Sequence, residues 1–286
     1  MSKRQTVRLA VCLALLLLWL VSLIAILWGN TALELHPMTV TDSNLPAAFD
    51  GFRIAQVSDL HDAQIGKNNS RLIALLREAS PDMIVLTGDM IDSNRTNVSR
   101  SLQAITEIAA IAPCYYVTGN HEADIDEADY AALERGMLEA GVVVLHNRAV
   151  LLERAGDTLL LAGIDDPKFE KVYETKGYRM SASYIKTITK GGEYTVLLSH
   201  RPQYFERYVE AEVNLVLSGH VHGGQVRLPF VGGVFAPNHA LFPRYDAGLY
   251  TEGKTQMAVS RGIGNSVLPL RVNNRPEVLL LELKRG

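Results

Sequence analysis

The sequence predicts a layered α/β domain carried behind one membrane-spanning helix. Three observations point there. A twenty-residue run near the N-terminus has no charge, short apolar runs alternate with helix-period segments over the remainder, and five of those runs end in a metal-ligating side chain.

The apolar run extends from Leu9 to Trp28 with one hydroxyl, Ser22, and is long enough to cross a hydrocarbon core of ~30 Å. Lys3, Arg4 and Arg8 precede it, and no acidic residue appears before Glu34. The positive-inside rule then leaves residues 1–8 in the cytoplasm and sends the rest outside, with Trp28 as an interfacial aromatic. A cleaved signal peptide is the rival reading. The run exceeds an h-region of about 7–15 residues, and Asn30-Thr31-Ala32 makes a poor cleavage site. The expected organisation is a basic segment (1–8), an anchor (9–28), a short tether (29–37) and one domain (38–286), with a first strand near Leu35 to Thr41.

Composition narrows the class. The chain carries 28 Lys+Arg against 31 Asp+Glu. Removing the three basic residues before the anchor leaves 25 against 31, a net charge of −6. Nothing in this balance advertises a nucleic-acid surface, and such a domain would not rely on adsorption to anionic lipid, so the helix does the anchoring. A hydrophobic content of 48% excludes a disordered chain. Two cysteines exclude a disulfide framework or a cysteine-built zinc module, and Cys114, opening an apolar run, is expected to be buried.

After the anchor, strand-like runs are Phe52–Val57, Met83–Leu86, Tyr115–Val117, Val142–Leu145, Leu159–Ile164, Thr195–Leu198, Leu215–Leu217 and a final Glu277–Leu283. Helical spacing appears at Leu72/Ile73/Leu75/Leu76 behind the capping candidates Asn69 and Ser70, at Val98/Leu102/Ile105/Ile108, and at Leu133/Met137 before Gly141. This alternation builds a layered α/β domain around a largely buried sheet. Residues 223–264, rich in glycine, proline and aromatics, read as hairpins and loops.

The strand ends carry the chemistry. Val57-Ser58 runs into Asp59-Leu60-His61, Thr87 into Gly88-Asp89-Met90-Ile91-Asp92, and Thr118 into Gly119-Asn120-His121-Glu122. Ser199 runs into His200-Arg201-Pro202, and Ser218 into Gly219-His220-Val221-His222. Alternation along an extended backbone would put Asp59 and His61 on one side, and likewise His220 and His222. The glycines let backbone approach a ligand without a Cβ in the way. Asp59, His61, Asp89, Asn120, His200, His220 and His222 are too many donors for one tetrahedral zinc. They suit two borderline cations such as manganese, iron or zinc. A carboxylate shared by a pair about 3.5–4 Å apart activates water and clamps a phosphoryl group. Any one of these elements alone reads as a turn; their common position makes the joint signal strong.

These five blocks resemble the calcineurin-like metallophosphoesterases over essentially all of residues 38–286. The Gly-His-Val-His-Gly-Gly-Gln and Leu-Ser-His-Arg-Pro blocks look most like a membrane-tethered bacterial subgroup. The resemblance implies a four-layer αββα sandwich. It implies one divalent metal ion on Asp59, His61, Asp89 and His222, and a second on Asp89, Asn120, His200 and His220. His121 would face the phosphoryl oxygens as general acid, with Asp92 and Glu122 behind the ligands to orient them. The implied reaction is hydrolysis of a phosphodiester or pyrophosphate through a metal-activated bridging hydroxide. A membrane or envelope lipid, such as a UDP-2,3-diacylglucosamine-like molecule, is the expected substrate class. A phosphomonoesterase or protein phosphatase is the alternative, and a binding module without metals is disfavoured because every ligand position and His121 are intact.

Other residues receive plainer readings. Asp165-Asp166-Pro167 reads as a strand-end turn, with a reach into the site as the other reading. Arg201 and Arg244, which could neutralise a phosphate, are left out of the catalytic set because surface arginines usually do not. The apolar stretches Leu228–Val231, Phe235–Pro237 and Leu241–Pro243 are hairpins closing the core, with a greasy lip for a lipid-linked substrate as the other reading.

Overall fold

The computed structural model describes residues 2–170, 178–191, 194–236, 240–265 and 270–286. Helix α1 (Lys3–Thr31) satisfies its backbone internally over 29 residues, and its most apolar stretch has a mean hydropathy of 3.0 with none of it buried against the rest of the chain. It is long and apolar enough to cross a membrane. Only Ala32 and Leu33 separate it from strand β1 (Glu34–Thr41), so the link is shorter than the tether read from sequence.

The chain then alternates β2 (Arg53–Val57), α2 (Ser70–Ala79), β3 (Met83–Thr87), α3 (Val98–Ala109), β4 (Cys114–Val117), α4 (Glu127–Glu139) and β5 (Val143–Val144). Right after these come β6 (Arg148–Arg154), β7 (Asp157–Ile164), α5 (Ala182–Ile188), β8 (Thr195–Ser199), α6 (Phe205–Glu210) and β9 (Leu215–Ser218). Two short hairpins follow, β10 (Arg227–Leu228) with β11 (Gly232–Gly233), and β12 (Phe235–Ala236) with β13 (Ala240–Leu241). Strands β14 (Gly248–Glu252), β15 (Thr255–Val259) and β16 (Glu277–Lys284) complete the order. Of the proline-marked residues, Pro237 lies outside the described residues.

Two six-stranded sheets result, ordered β1-β16-β2-β3-β4-β5 and β14-β15-β9-β8-β7-β6. Strands β2 to β5 run parallel, as do β7, β8, β9 and β15; β6 and β14 are antiparallel edges, and β16 lies between β1 and β2. The inner faces meet in one apolar layer that includes Ile54, Val85, Val117, Leu161, Val196 and Leu217. Helices α2, α3 and α4 cover the outer face of the first sheet through Leu76, Ile105 and Leu133. Helices α5 and α6 cover the second through Ile185 and Phe205. The architecture is therefore the αββα sandwich. Burial on both faces explains why the central strands are continuous apolar runs. Each fully buried Leu or Ile stabilises these layers by about 1.5–3 kcal/mol.

Local details differ from expectation. Asn69 precedes α2, but its Oδ1 accepts from the Ile65 N–H at 2.8 Å and closes the preceding loop, making no cap bond. Cys114 is buried, and desolvation pushes its thiol up to about 12. The glycine-rich segment holds more than hairpins, because β15 is fully buried and extends the second sheet.

Candidate metal centre

Strands β2, β3, β4, β8 and β9 all end at one edge of the sandwich, and the loops leaving them converge there. The convergence is not made by strand alternation. Asp59, His61, Asp89, His220 and His222 have φ of 53°, 47°, 52°, 72° and 48°, in the left-handed region. The strands stop at Val57, Thr87 and Ser218, and tight turns aim the ligands. Positive φ in non-glycine residues carries strain that surrounding structure must hold. The Asp59 and His61 N–H groups donate to the carbonyls of Gly88 and Asp89, which fixes one turn on the other. Gly219 has its own reason to be glycine: a Cβ there would overlap the Ser58 hydroxyl and the Asp59 carboxylate. The space is thus taken by a ligand carboxylate of a neighbouring loop.

The donor atoms are gathered in buried clusters. His61 Nε2 and His222 Nε2 face each other at 3.0 Å, and Asp59 Oδ1 lies 3.3 Å from His222 Nε2. Asp89 Oδ2 lies 3.7 Å from His61 Nε2 and 3.2 Å from His200 Nε2, between the two halves of the site. Asp89, His200 and His220 form the second cluster, and Asn120, in the turn after β4, has a buried Oδ1 with no hydrogen-bond partner. His200 Nδ1 donates to the Thr87 carbonyl at 2.8 Å, so its Nε2 is the atom turned toward Asp89.

The electrostatics fit cations. Burial holds His61 down to about 3 and holds His220 and His222 well below the usual range, so their lone pairs are available. Burial pushes Asp59 up to about 6, and Glu122 up to about 7. For Asp89 and His200, burial opposes charge on both, yet their mutual attraction wins, lowering the carboxyl and raising the imidazole. The neutral imidazoles of His61, His220 and His222 beside the Asp89 carboxylate offer lone pairs and negative charge to dications, and a cation would take the place of the proton that Asp89 favours on His200.

His121, Asp92 and His61 form a third gathering. The His121 ring stands edge-on to His61 with centroids 4.4 Å apart, the His121 backbone N–H donates to Asp89 Oδ1 at 2.8 Å, and the ring Nδ1 accepts from the Ser93 N–H at 3.0 Å. Asp92 Oδ1 is 3.5 Å from the same nitrogen and accepts from Asn94 N–H at 3.0 Å. Glu122 accepts from the N–H groups of Asp89, Met90 and Gly119, tying the β3 and β4 turns together.

Two arginines belong here that sequence reading left out. Arg201 is no surface residue. It is 9% exposed, donates through Nε and Nη2 to Asp166 at 2.6 and 3.1 Å, and brings Nη1 to 3.3 Å from His220 Nε2. Asp166 therefore does more than start a turn. The signal was the adjacency of Arg201 to His200 at a strand end. Arg271 is wholly buried, holds the carbonyls of Gly264 and Arg261, and places Nη2 3.4 Å from His222 Nδ1. No local pattern marks it. Arg244 is exposed and pairs with Glu206.

The family model for the calcineurin-like phosphoesterases matches residues 52–224. The chain belongs to that family. It is 32% identical to metallophosphoesterase YkuE of Bacillus subtilis, over 88% of this chain and 86% of that one. It is 31% identical to phosphodiesterase YaeI of Escherichia coli, over 81% and 82%. It is also 28% identical to a zebrafish (Danio rerio) transmembrane protein with a metallophosphoesterase domain, over 85% of this chain and 55% of that protein. The chain is accordingly a phosphoester hydrolase, its His/Asp clusters are suited to a dinuclear divalent centre, and its apolar N-terminal helix suggests a membrane protein.

Proposed function

We propose that this chain is a membrane-anchored phosphodiesterase or pyrophosphatase that acts on a phosphoester of a membrane or envelope lipid, with the N-terminus cytoplasmic and the domain outside. Asp59, His61, Asp89 and His222 hold one cation, and Asp89, Asn120, His200 and His220 hold the other. The observation that carries this reading is the pair of imidazole nitrogens 3.0 Å apart with Asp89 Oδ2 reaching toward both His61 and His200. Two divalent cations there supply Lewis acidity to a phosphoryl oxygen and activate water.

The chain's own residues do the rest. His121, with Nδ1 accepting from Ser93, carries the proton of its neutral ring on Nε2 and delivers it to the leaving oxygen. Arg201, pinned by Asp166, offers fixed positive charge beside His220 for a phosphoryl oxygen. Glu122 keeps the β3 and β4 turns from spreading as charge builds up. The anchor, the diesterase name of the Escherichia coli relative and the net charge of −3 support a lipid phosphodiester over nucleic acid.

The test is hydrolysis by the full chain in detergent, supplied with Mn²⁺, of bis-p-nitrophenyl phosphate against p-nitrophenyl phosphate. Preference for the diester supports the proposal. Preference for the monoester would point to a phosphatase.

A further inference from the structure

The two hairpins after the metal centre bury Ala236 in the core but leave most of their large apolar side chains in solvent. Outside α1, nine large apolar side chains are exposed among the described residues, and six of them, Leu228, Phe230, Val231, Leu241, Phe242 and Val272, lie in segments bonded to one another. Val226 bridges to Val272, the Val234 N–H donates to the Val226 carbonyl, and the Phe242 N–H donates to the Val234 carbonyl. Phe230 is 109% exposed and Phe242 60%, with φ of 66° and 51°. Glycine or asparagine would occupy such turn positions at lower cost, and water gains nothing from a phenyl ring there. Single exposed apolar residues are ordinary, but a contiguous patch with two strained aromatic tips marks a contact surface.

The patch adjoins the end of α1. A Cβ on Gly29 would lie 3.1 Å from the Arg271 carbonyl, Asn265 donates to Asn30 at 3.0 Å, Arg275 donates to the Ala32 carbonyl at 2.9 Å, and its guanidinium lies over the Trp28 ring at 4.7 Å. On the other side, the Val272 carbonyl accepts from the Arg227 N–H at 3.0 Å. The short segment 271–275 thus touches both the helix end and the first hairpin. With ~3.8 Å between successive Cα atoms and ~5 Å across a bridge, Leu228 sits within about 20 Å of Gly29.

We infer that these hairpins are a second membrane contact, with Phe230, Phe242 and their aliphatic neighbours seated in the interfacial layer of the same bilayer that α1 crosses. The inference rests on α1 being a membrane anchor. The bilayer is the occupant because the helix brings it to this side of the domain, and because aromatic and aliphatic tips beside a membrane exit suit the interface. Arg271 touches His222 as well as this segment, so seating the hairpins sets the metal centre at headgroup level, where a lipid phosphodiester presents its phosphoryl group.

The test uses the full chain carrying Cys12→Ser, with the buried Cys114 left in place, in nanodiscs of phosphatidylethanolamine and phosphatidylglycerol holding one chain each. A nitrobenzoxadiazole label is placed by Val231→Cys, Leu241→Cys, Leu17→Cys within α1, or Leu138→Cys. Leu138 is exposed near the end of α4, at the sheet end remote from the metal centre. Labels at 231 and 241 should lose at least half their emission to doxyl-labelled lipid and resist aqueous iodide, and label 138 should do the reverse. Adding Phe230→Asp and Phe242→Asp should restore iodide access at 231. Labels 231 and 241 behaving like 138, with 17 quenched by lipid, would overturn the hairpin contact alone. An unquenched label at 17 would overturn the anchor itself. Shielding of 231 from iodide without lipid quenching would show a protein cover and also overturn the inference.

Discussion

The Ser93 N–H donates to His121 Nδ1 at 3.0 Å, and the Ser93 Oγ stands 2.9 Å from the same atom. A ring nitrogen that accepts a backbone N–H carries no proton, so in the neutral imidazole the proton is on Nε2. The ring is thereby set as an Nε2 donor, while the backbone N–H of His121 is fixed on Asp89 Oδ1.

His121→Ala should keep both cations and lose about 10²–10⁴-fold in kcat, the range for a lost acid–base group. Ser93→Ala retains the backbone donor and should lose far less. Metal analysis beside kcat checks this, and loss of a cation in His121→Ala would make the ring a ligand.

Asp89→Asn should lose most bound metal and activity together, because a neutral amide between His61 and His200 replaces the charge that faces both halves of the site. Retention of full metal content by this variant would remove Asp89 from the bridging position.

The residue types of the site were legible because ligands must follow strands in this architecture, and β2, β3, β4, β8 and β9 are buried apolar runs that announce their own ends. The edges were not. Strand β6 alternates with half its residues toward solvent, and β14 reads like the turn-rich segment around it. The insertion of β16 between β1 and β2 depends on pairing across the whole chain. Arg201, Arg271 and Ser93 escaped for the same reason: their roles are set by Asp166, His222 and His121, far away in sequence. Alternation gave the right company for Asp59 and His61 through the wrong backbone, since the turn is left-handed.

Gly219→Ala should fold yet bind metal weakly, because the added methyl must displace the Ser58 hydroxyl or the Asp59 carboxylate. Metal affinity measured by competition with a chelating dye checks this; unchanged affinity would mean the loop yields without moving Asp59.

Asp166→Ala should destabilise the domain by about 3–5 kcal/mol, because it leaves the Arg201 guanidinium buried without its carboxylate. The double variant Arg201→Met with Asp166→Ala should be less damaging than the sum of the singles. Denaturant unfolding measures both, and additivity would show that the pair is not coupled.

His36 Nδ1 pairs with Glu277 at 2.9 Å, and that hydrogen bond raises the imidazole above its ordinary 6.5. Its stabilisation is full below about pH 6.5 and is lost as pH rises through the raised value. His36→Gln should flatten the stability profile in that window and leave the alkaline arm unchanged; an unaltered profile would refute the linkage.

The seven side chains proposed as ligands would hold two cations around Asp89. The most direct measurement is metal content per folded chain after loading full-length protein with Mn²⁺, for the natural sequence and for Asn120→Ala. Two cations per chain, falling to one in Asn120→Ala with the Asp59–His61–His222 cluster still filled, is the predicted result. One cation per fully active natural chain would contradict it.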